Sequence, residues 1–203
     1  MRLGVMGGTF DPIHIGHLVT AEEARFQFGL EKVVFIPSAH PPHKTDNLQS
    51  PAEDRIRMVE LAIGGNPVMA VSDMEIVRPG LSYTIDTLRE LHRIHGAEAE
   101  IYFITGADAI LEILTWKDPE ELLMEGRFIA ATRPGYPLHK LEEALPEFNS
   151  AGEEATKRVY AMEIPALAIS STDIRQRAAE GRPFRYLVSG AVWAYIKERD
   201  LYR

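Results

Sequence analysis

The sequence predicts an α/β fold, namely a doubly wound, Rossmann-like parallel sheet with helices on both faces. Short apolar runs alternate with amphipathic helical stretches along the chain, which is the pattern of repeated strand–helix units. The apolar runs are continuous, as expected for strands that are buried on both faces. The chain has 203 residues, which is enough to bury a core without disulfides or a structural metal.

The predicted strands and helices follow one another in order. Buried strands are predicted at residues 3–6, 33–36, 68–71, 101–105, 128–132 and 159–163. Helices are predicted at residues 16–28, 52–63, 84–94, 108–124, 172–180 and 189–199. The helix at 84–94 has an apolar stripe at Ile85, Leu88, Leu91 and Ile94. No linker divides the chain, so residues 1–203 are expected to form a single domain with a small C-terminal helical portion. The pattern is weakest at 135–153.

Composition excludes several classes of protein. The chain has no cysteine, which rules out a disulfide framework, a thiolate zinc site, an iron–sulfur cluster and a cysteine nucleophile. A formal net charge of −8 disfavours a broad grip on nucleic acid. There is no apolar leader, and no stretch approaches the roughly 18 apolar residues of a membrane span. We therefore expect a cytoplasmic protein with no nucleic-acid or membrane partner. Assembly into a homo-oligomer is left open.

The loop after the first predicted strand carries the strongest chemical signal. Ligands of open parallel sheets bind beyond the carboxyl ends of the strands, and Gly7 and Gly8 stand at such an end. Glycines let a phosphate approach the backbone, and the helix N-terminus that follows offers free N–H groups. Neither the dinucleotide-binding motif nor the P-loop motif occurs. We expect His14 and His17 to contact phosphate, as neutral donors or as cations with a raised pKa, whereas the simpler alternative is that they cap and pack.

Two segments at opposite ends of the chain carry a family resemblance. Residues 8–17 read GTFDPIHIGH, and residues 169–175 read ISSTDIR. The first resembles the HIGH signature of the nucleotidyltransferases related to class I aminoacyl-tRNA synthetases. The second resembles the ISSTxxR element of the nicotinate and nicotinamide mononucleotide adenylyltransferases. Further motifs at 41–44, 82–88, 106–108, 115–117 and 133–135 occur in the order of the bacterial nicotinate-nucleotide enzymes.

The resemblance implies a reaction and a set of site residues. ATP and nicotinate mononucleotide would give nicotinate adenine dinucleotide and pyrophosphate, by direct in-line attack and without a covalent enzyme intermediate. Catalytic roles are implied for His14, His17 and Arg175. Contacts with ATP are implied for Gly8, Thr9, Phe10, Gly16, Gly106, Asp108, Ile169, Ser170, Ser171 and Thr172. Contacts with nicotinate mononucleotide are implied for His43, Lys44, Ser82, Tyr83, Thr84, Trp116 and Arg133.

Elementary chemistry is consistent with this reaction. The second pKa of a phosphate monoester is about 6, so the acceptor phosphate is largely ionised at pH 7 and needs no general base. The hydroxyls and N–H groups at 170–172 would hold phosphates, with Arg175 one turn further on as a fixed cation. Free N–H groups at the helix start at 82–84 would favour a nicotinate carboxylate over a neutral amide.

Mg²⁺ is expected on ATP, held mainly by phosphates and water, as is usual for this ion. No metal site built from protein ligands is predicted. Two pairs of histidines have the spacing of zinc ligands, namely His14 with His17 and His40 with His43. Both pairs are expected on loops without another soft ligand.

Simpler roles remain open for several residues, and other functions remain open for the chain. Residues 170–172 could be an ordinary N-cap, as could Asp108, and Trp116 could be partly buried in the core. Trp193 is expected in the core. The alternative functions are the same transfer to nicotinamide mononucleotide or phosphopantetheine, a nucleotide sensor without turnover, and a fragment of a tRNA synthetase.

Overall fold

The computed structural model describes residues 1–40, 50–132, 143, 158–165 and 167–203. Its strands are β1 (Arg2–Gly8), β2 (Lys32–Pro37), β3 (Met69–Val71), β4 (Glu100–Gly106), β5 (Arg127–Thr132) and β6 (Val159–Glu163). They form one six-stranded parallel sheet in the order β3-β2-β1-β4-β5-β6. The chain builds outward from β1 in one direction and from β4 in the other, so the predicted doubly wound sheet is confirmed.

The described helices cover both faces of this sheet. They are α1 (Ile15–Gln27), α2 (Ala52–Ile63), α3 (Met74–Val77), α4 (Thr84–His95), α5 (Ala107–Leu111), α6 (Pro119–Glu125), α7 (Ser171–Ala179) and α8 (Gly190–Glu198). The bounds of α2 coincide with the prediction, whereas the short helix α3 was not predicted. Among the described helices, none has the length and apolar character that crossing a membrane requires.

Alternate side chains of each strand point to opposite faces, and both faces are buried. In β2, Val33 and Phe35 join one core cluster, whereas Val34 and Ile36 join the other. The first cluster includes side chains of α1, α2, α7 and α8, and the second includes side chains of α4, α5 and α6. Burial on both faces explains why the strands read as continuous apolar runs.

The predicted apolar stripe of α4 is correct for three residues and wrong for the fourth. Ile85, Leu88 and Leu91 are buried, but Ile94 is 53% exposed. The four residues stand three apart, whereas a helical turn takes 3.6 residues, so the stripe drifts by roughly 60° at each step. After three steps Ile94 lies on the side of the helix opposite to Ile85.

The helical stretch predicted around 108–124 is divided into separate helical segments. Helix α5 ends at Leu111, a single 3₁₀ turn covers Ile113–Thr115, and α6 begins at Pro119. Proline lacks an N–H group, and its ring disfavours the helical conformation in the residue before it. Pro119 is the first residue of α6, where its missing N–H group costs no helical hydrogen bond, and Asp118 before it is the N-cap, with a left-handed conformation and φ at 49°. The break leaves the segment between α5 and α6 beside the carboxyl end of β4.

The C-terminal helical portion packs on α2 and reaches the loop after β1. The Ile15 N–H group donates to the Leu187 carbonyl oxygen at 2.9 Å. The Tyr195 hydroxyl on α8 donates to Asp54 on α2 at 2.7 Å. Trp193 packs against the first core cluster but is only partly buried, so the expectation that it lies in the core is correct in part; the Arg185 guanidinium lies over its ring, 4.9 Å from the centroid.

Candidate active site at the switch point of the sheet

Two adjoining cavities open where β1 and β4 diverge, at the carboxyl ends of these strands. The larger has a volume of about 560 Å³, and the smaller about 290 Å³. Gly7 and Thr105 line both. The larger cavity also contains Gly8, Ser82, Tyr83, Thr84 and Trp116. The smaller also contains His14, Gly16, His17, Gly106 and Ile169. Many of the sequence-predicted site residues therefore meet at the position where open α/β sheets bind ligands.

The two histidines of the first loop form a stacked pair. Their ring centroids are 3.7 Å apart with an interplanar angle of 19°. His14 is the N-cap of α1, and its N–H group donates to Nδ1 of His17 at 3.2 Å. Because Nδ1 of His17 accepts this hydrogen bond, the neutral ring of His17 carries its proton on Nε2. His17 is thereby prepared as an N–H donor.

Burial determines the charge state of His14. The side chain is only 8% exposed, and burial lowers its pKa from 6.5 to about 4. His14 is therefore neutral at neutral pH in this structure, which favours a neutral donor over a cation. The simpler prediction that it caps a helix is also correct, because His14 is the N-cap of α1. Its Nδ1 atom is buried and has no hydrogen-bond partner among the described residues.

The C-terminal motif contacts the first loop directly, although the contacting residues lie 159 and 164 positions apart in the sequence. The Ser171 hydroxyl donates to the Pro12 carbonyl oxygen at 2.9 Å. Arg175 donates from Nη1 to the Asp11 carbonyl oxygen at 2.7 Å. The Ser170 hydroxyl accepts from the Asp173 N–H group at 3.1 Å, so Ser170 is also the N-cap of α7. The simpler prediction that this segment is an N-cap is therefore correct, and the two motifs also lie in contact.

Two buried polar residues, Arg55 and Tyr202, donate hydrogen bonds to the first loop. Arg55 is 1% exposed, and its Nη1 donates to the carbonyl oxygens of Thr9 at 2.8 Å and Ser38 at 2.7 Å. The Tyr202 hydroxyl donates to Oδ1 of Asp11 at 2.7 Å. These residues were missed by the sequence analysis. Each is a single polar residue in a helix or at a chain end, and no spacing distinguishes it from a solvated one.

The larger cavity brings together an aromatic wall and a helix start. Tyr83 is the N-cap of α4, and Thr84 is its first residue. The Trp116 ring is partly buried and packs edge-on against Phe103, with centroids 6.2 Å apart. Partial core burial and exposure to the cavity are therefore both true of Trp116. The Lys117 ammonium lies 4.7 Å from the Tyr83 ring centroid and 3.1 Å from Asp86, so one cation stands at the rim.

The remaining predicted residues are distributed more widely. Gly106 is the N-cap of α5, and an added Cβ there would meet nothing within 4 Å in the described structure. Asp108 is exposed in the first turn of α5 and is not an N-cap.

Phe10 is 1% exposed and packs against the His17 ring, with the ring centroids 5.2 Å apart. Thr9 contributes its carbonyl oxygen to Arg55, and Thr172 is exposed beside Arg175 at 3.4 Å. His43, Lys44 and Arg133 lie outside the described residues.

Gly7 is a site residue for which a side chain would not fit. A Cβ at this position would lie 2.8 Å from the Phe103 ring. The absence of a side chain at Gly7 leaves room for the Phe103 ring at the point where the two cavities adjoin. Ser38 and Glu75, which line the larger cavity, were also missed.

Comparison with known proteins agrees with this geometry. Residues 5–177 match the family model described as cytidylyltransferase-like. A Moorella thermoacetica protein curated as "Probable nicotinate-nucleotide adenylyltransferase" is 56% identical over 202 residues, which cover 100% of this chain and 92% of the relative. A Thermoanaerobacter protein of the same curated name is 50% identical, with coverage of 100% and 95%.

A solved structure shares the fold. The Plasmodium falciparum nicotinic acid mononucleotide adenylyltransferase complexed with NaAD superposes with a TM-score of 0.78 at 20% identity, covering 99% of this chain and 97% of that one. The fold and the matching family define a nucleotidyltransferase. The chain belongs to the cytidylyltransferase-like family and, within it, to the nicotinate-nucleotide adenylyltransferases.

Proposed function

We propose that this chain transfers the AMP moiety of ATP to the 5′-phosphate of nicotinate mononucleotide, giving nicotinate adenine dinucleotide and pyrophosphate in NAD biosynthesis. The relatives of the same family carry this activity in their names. The observation that carries the proposal is the meeting of Ser171 with Pro12 and of Arg175 with Asp11, beside two adjoining cavities. Two cavities with a common border suit two nucleotides that must react with each other.

Each cavity has the chemistry of one substrate. The smaller one, which contains His14, His17 and the glycine at position 106, is assigned to ATP. The larger one, with its aromatic wall, is assigned to the pyridine nucleotide. Their shared border at Gly7 and Thr105 would hold the attacking phosphate and the α-phosphorus in line.

The reaction needs positioning and charge stabilisation rather than a general base. The acceptor phosphate is already ionised at neutral pH. Charge spreads over the oxygens of the α-phosphate and onto the leaving pyrophosphate, and donors already in place would stabilise it. His17 would donate from Nε2 and His14 as a neutral ring. The start of α7 would receive phosphate on its N–H groups, and Arg175 would hold the leaving phosphates.

Recognition of the acidic ring would rely on the larger cavity. The Trp116 ring would stack on the pyridine, and the first N–H groups of α4, which have no partner within the helix, would receive the carboxylate. This arrangement favours the acid over the neutral amide. Assignments of Asp108 to the adenosine ribose and of His43, Lys44 and Arg133 to substrate phosphates rest on the family resemblance alone.

Mg²⁺ would enter with ATP as part of the substrate. Among the described residues, the smaller cavity assigned to ATP is lined by imidazoles, hydroxyls and backbone groups and by no carboxylate, whereas Mg²⁺ prefers oxygen ligands and keeps several waters. In the described part of the chain, no group of three or more His, Cys, Asp or Glu residues could hold a metal ion. This donor set is suited to a magnesium ion held mainly by phosphate oxygens and water.

The deciding experiment is pyrophosphate release with ATP and three acceptors in parallel. Nicotinate mononucleotide should be used with the highest kcat/KM, ahead of nicotinamide mononucleotide and phosphopantetheine. Equal use of the acid and the amide would contradict the role given to the start of α4. Binding of ATP without any product during long incubation would identify a nucleotide sensor instead.

A further inference from the structure

Glu75 is a buried carboxyl in the wall of the larger cavity, and the mechanism above gives it no task. It is the second residue of α3 and is 5% exposed. It lines the cavity together with Ser38 and Ser82. A negative charge in the wall of a cavity for an acidic ring is unfavourable unless its own hydrogen bonds hold it.

Glu75 accepts a hydrogen bond from helix α4. The Thr87 hydroxyl donates to its Oε1 at 2.7 Å, and both groups are buried. Burial raises the pKa of Glu75, whereas the Thr87, Ser82 and Ser38 hydroxyls and the charge of Arg78 oppose that rise. Glu75 therefore links α3 to the first turns of α4 on one side of the cavity.

Ser82, which lies beside Glu75 in the cavity wall, joins the residue before the α4 N-cap to the backbone after β2. Its hydroxyl oxygen accepts hydrogen bonds from the N–H groups of Ala39 at 3.1 Å and His40 at 3.3 Å, and its own N–H group donates to the His40 carbonyl oxygen at 3.0 Å. The start of α4, at Tyr83 and Thr84, is thus held before its N-cap by Ser82 and within its first turns by the hydrogen bond from Thr87 to Glu75.

We propose that Glu75 is a positioning residue that fixes the start of α4 and thereby sets the preference for an acidic over a neutral pyridine ring. This inference rests on the proposed function, because it concerns the acceptor cavity of that reaction. Glu75 acts through the Thr87 hydroxyl and does not itself contact the substrate. Without it, this hydroxyl loses its acceptor and the N–H groups of the helix start are no longer held in one direction.

The test compares Glu75→Ala and Glu75→Gln with a control, Asp54→Asn. Asp54 is also a buried carboxyl, which accepts the Tyr195 hydroxyl at 2.7 Å, but it lines neither cavity. Steady-state kinetics are measured with nicotinate mononucleotide, nicotinamide mononucleotide and ATP, each varied in turn, and thermal unfolding is recorded for every variant.

Glu75→Ala should raise KM for nicotinate mononucleotide about tenfold, which corresponds to one hydrogen bond of typical strength, and should leave KM for ATP within about twofold. The ratio of kcat/KM for acid over amide should fall by a similar factor. Glu75→Gln keeps one side-chain oxygen for the Thr87 hydroxyl and should recover part of the loss. The Asp54→Asn control should lower Tm and change neither KM nor the acid-to-amide ratio.

An unchanged acid-to-amide ratio in Glu75→Ala, or equal increases of both KM values, would show a merely structural residue. If Glu75→Ala does not fold, an unchanged ratio in Glu75→Gln overturns the inference in the same way. Wild-type protein that releases no pyrophosphate with nicotinate mononucleotide refutes the proposed function itself, whereas active wild type with unaltered variants refutes only the role of Glu75.

Discussion

The hydroxyl of Tyr202, the penultimate residue of the chain, supports the loop that leads into His14 and His17. It donates to Oδ1 of Asp11 at 2.7 Å, where Asp11 is 1% and Tyr202 is 9% exposed. The carbonyl oxygen of the same Asp11 accepts the hydrogen bond from Arg175. The substitution Tyr202→Phe deletes this one hydroxyl and leaves the packing of the ring in place, so it isolates the hydrogen bond.

The expected loss of stability follows from the burial of both partners. A hydrogen bond to a charged group contributes about 1.5–3 kcal/mol, and its loss leaves the carboxylate with one donor fewer. For a chain of this size each kcal/mol lowers Tm by roughly 2–4 °C, so Tyr202→Phe should lower Tm by roughly 3–12 °C. We also expect kcat to fall about tenfold, because even small displacements of a catalytic group are costly.

The assay is thermal unfolding together with kcat, and the chain provides a matched control. Tyr195 donates to the buried carboxyl of Asp54, also at 2.7 Å, but neither residue lines either cavity. Tyr195→Phe should lower Tm and leave kcat unchanged. If Tyr202→Phe has wild-type Tm and wild-type kcat, the hydroxyl does not support the loop, and this reasoning is refuted.

Three further predictions concern the site directly. His17→Ala should lower kcat by roughly 10²–10³ with little change in the Kd for ATP, and a loss confined to KM would contradict its role in the transition state. Because burial lowers the pKa of His14 from 6.5 to about 4, the unfolded chain takes up a proton between these values that the native protein does not. His14 therefore does not reduce the free energy of unfolding above pH 6.5, but it lowers this free energy by about 3 kcal/mol as the pH decreases to 4. Denaturant titrations at several pH values should show this decrease for the wild type and not for His14→Gln. Trp116→Ala should raise KM for the pyridine nucleotide and leave KM for ATP near normal in steady-state kinetics, whereas a shift of both would show a general structural role.

Much of the fold could be predicted because its signals are periodic. Strands buried on both faces read as apolar runs, and the bounds of α2 and β6 agree with those predicted. The break before Pro119 was missed although proline favours the first position of a helix and marks the start of α6 in the sequence. The drift of the stripe in α4 was missed because each three-residue step is individually acceptable in a helix.

The candidate site could be predicted where a residue stands in a motif and not where it acts through tertiary contacts. The proximity of the two terminal motifs is confirmed, since Ser171 and Arg175 donate to the first loop. Arg55 and Glu75 stand at ordinary helical positions, and only the folded chain shows that both are buried at the site. Likewise, the lowered pKa of His14 depends on burial that no local pattern encodes.

The central claim is that one triphosphate lies between the first loop and the start of α7. The most direct measurement is a crystal structure of the protein with a non-cleavable ATP analogue. We expect phosphate oxygens within hydrogen-bond distance of both Nε2 of His17 and the N–H groups or guanidinium provided by α7. A triphosphate that is bound in either cavity but contacts only one of the two segments would contradict the account.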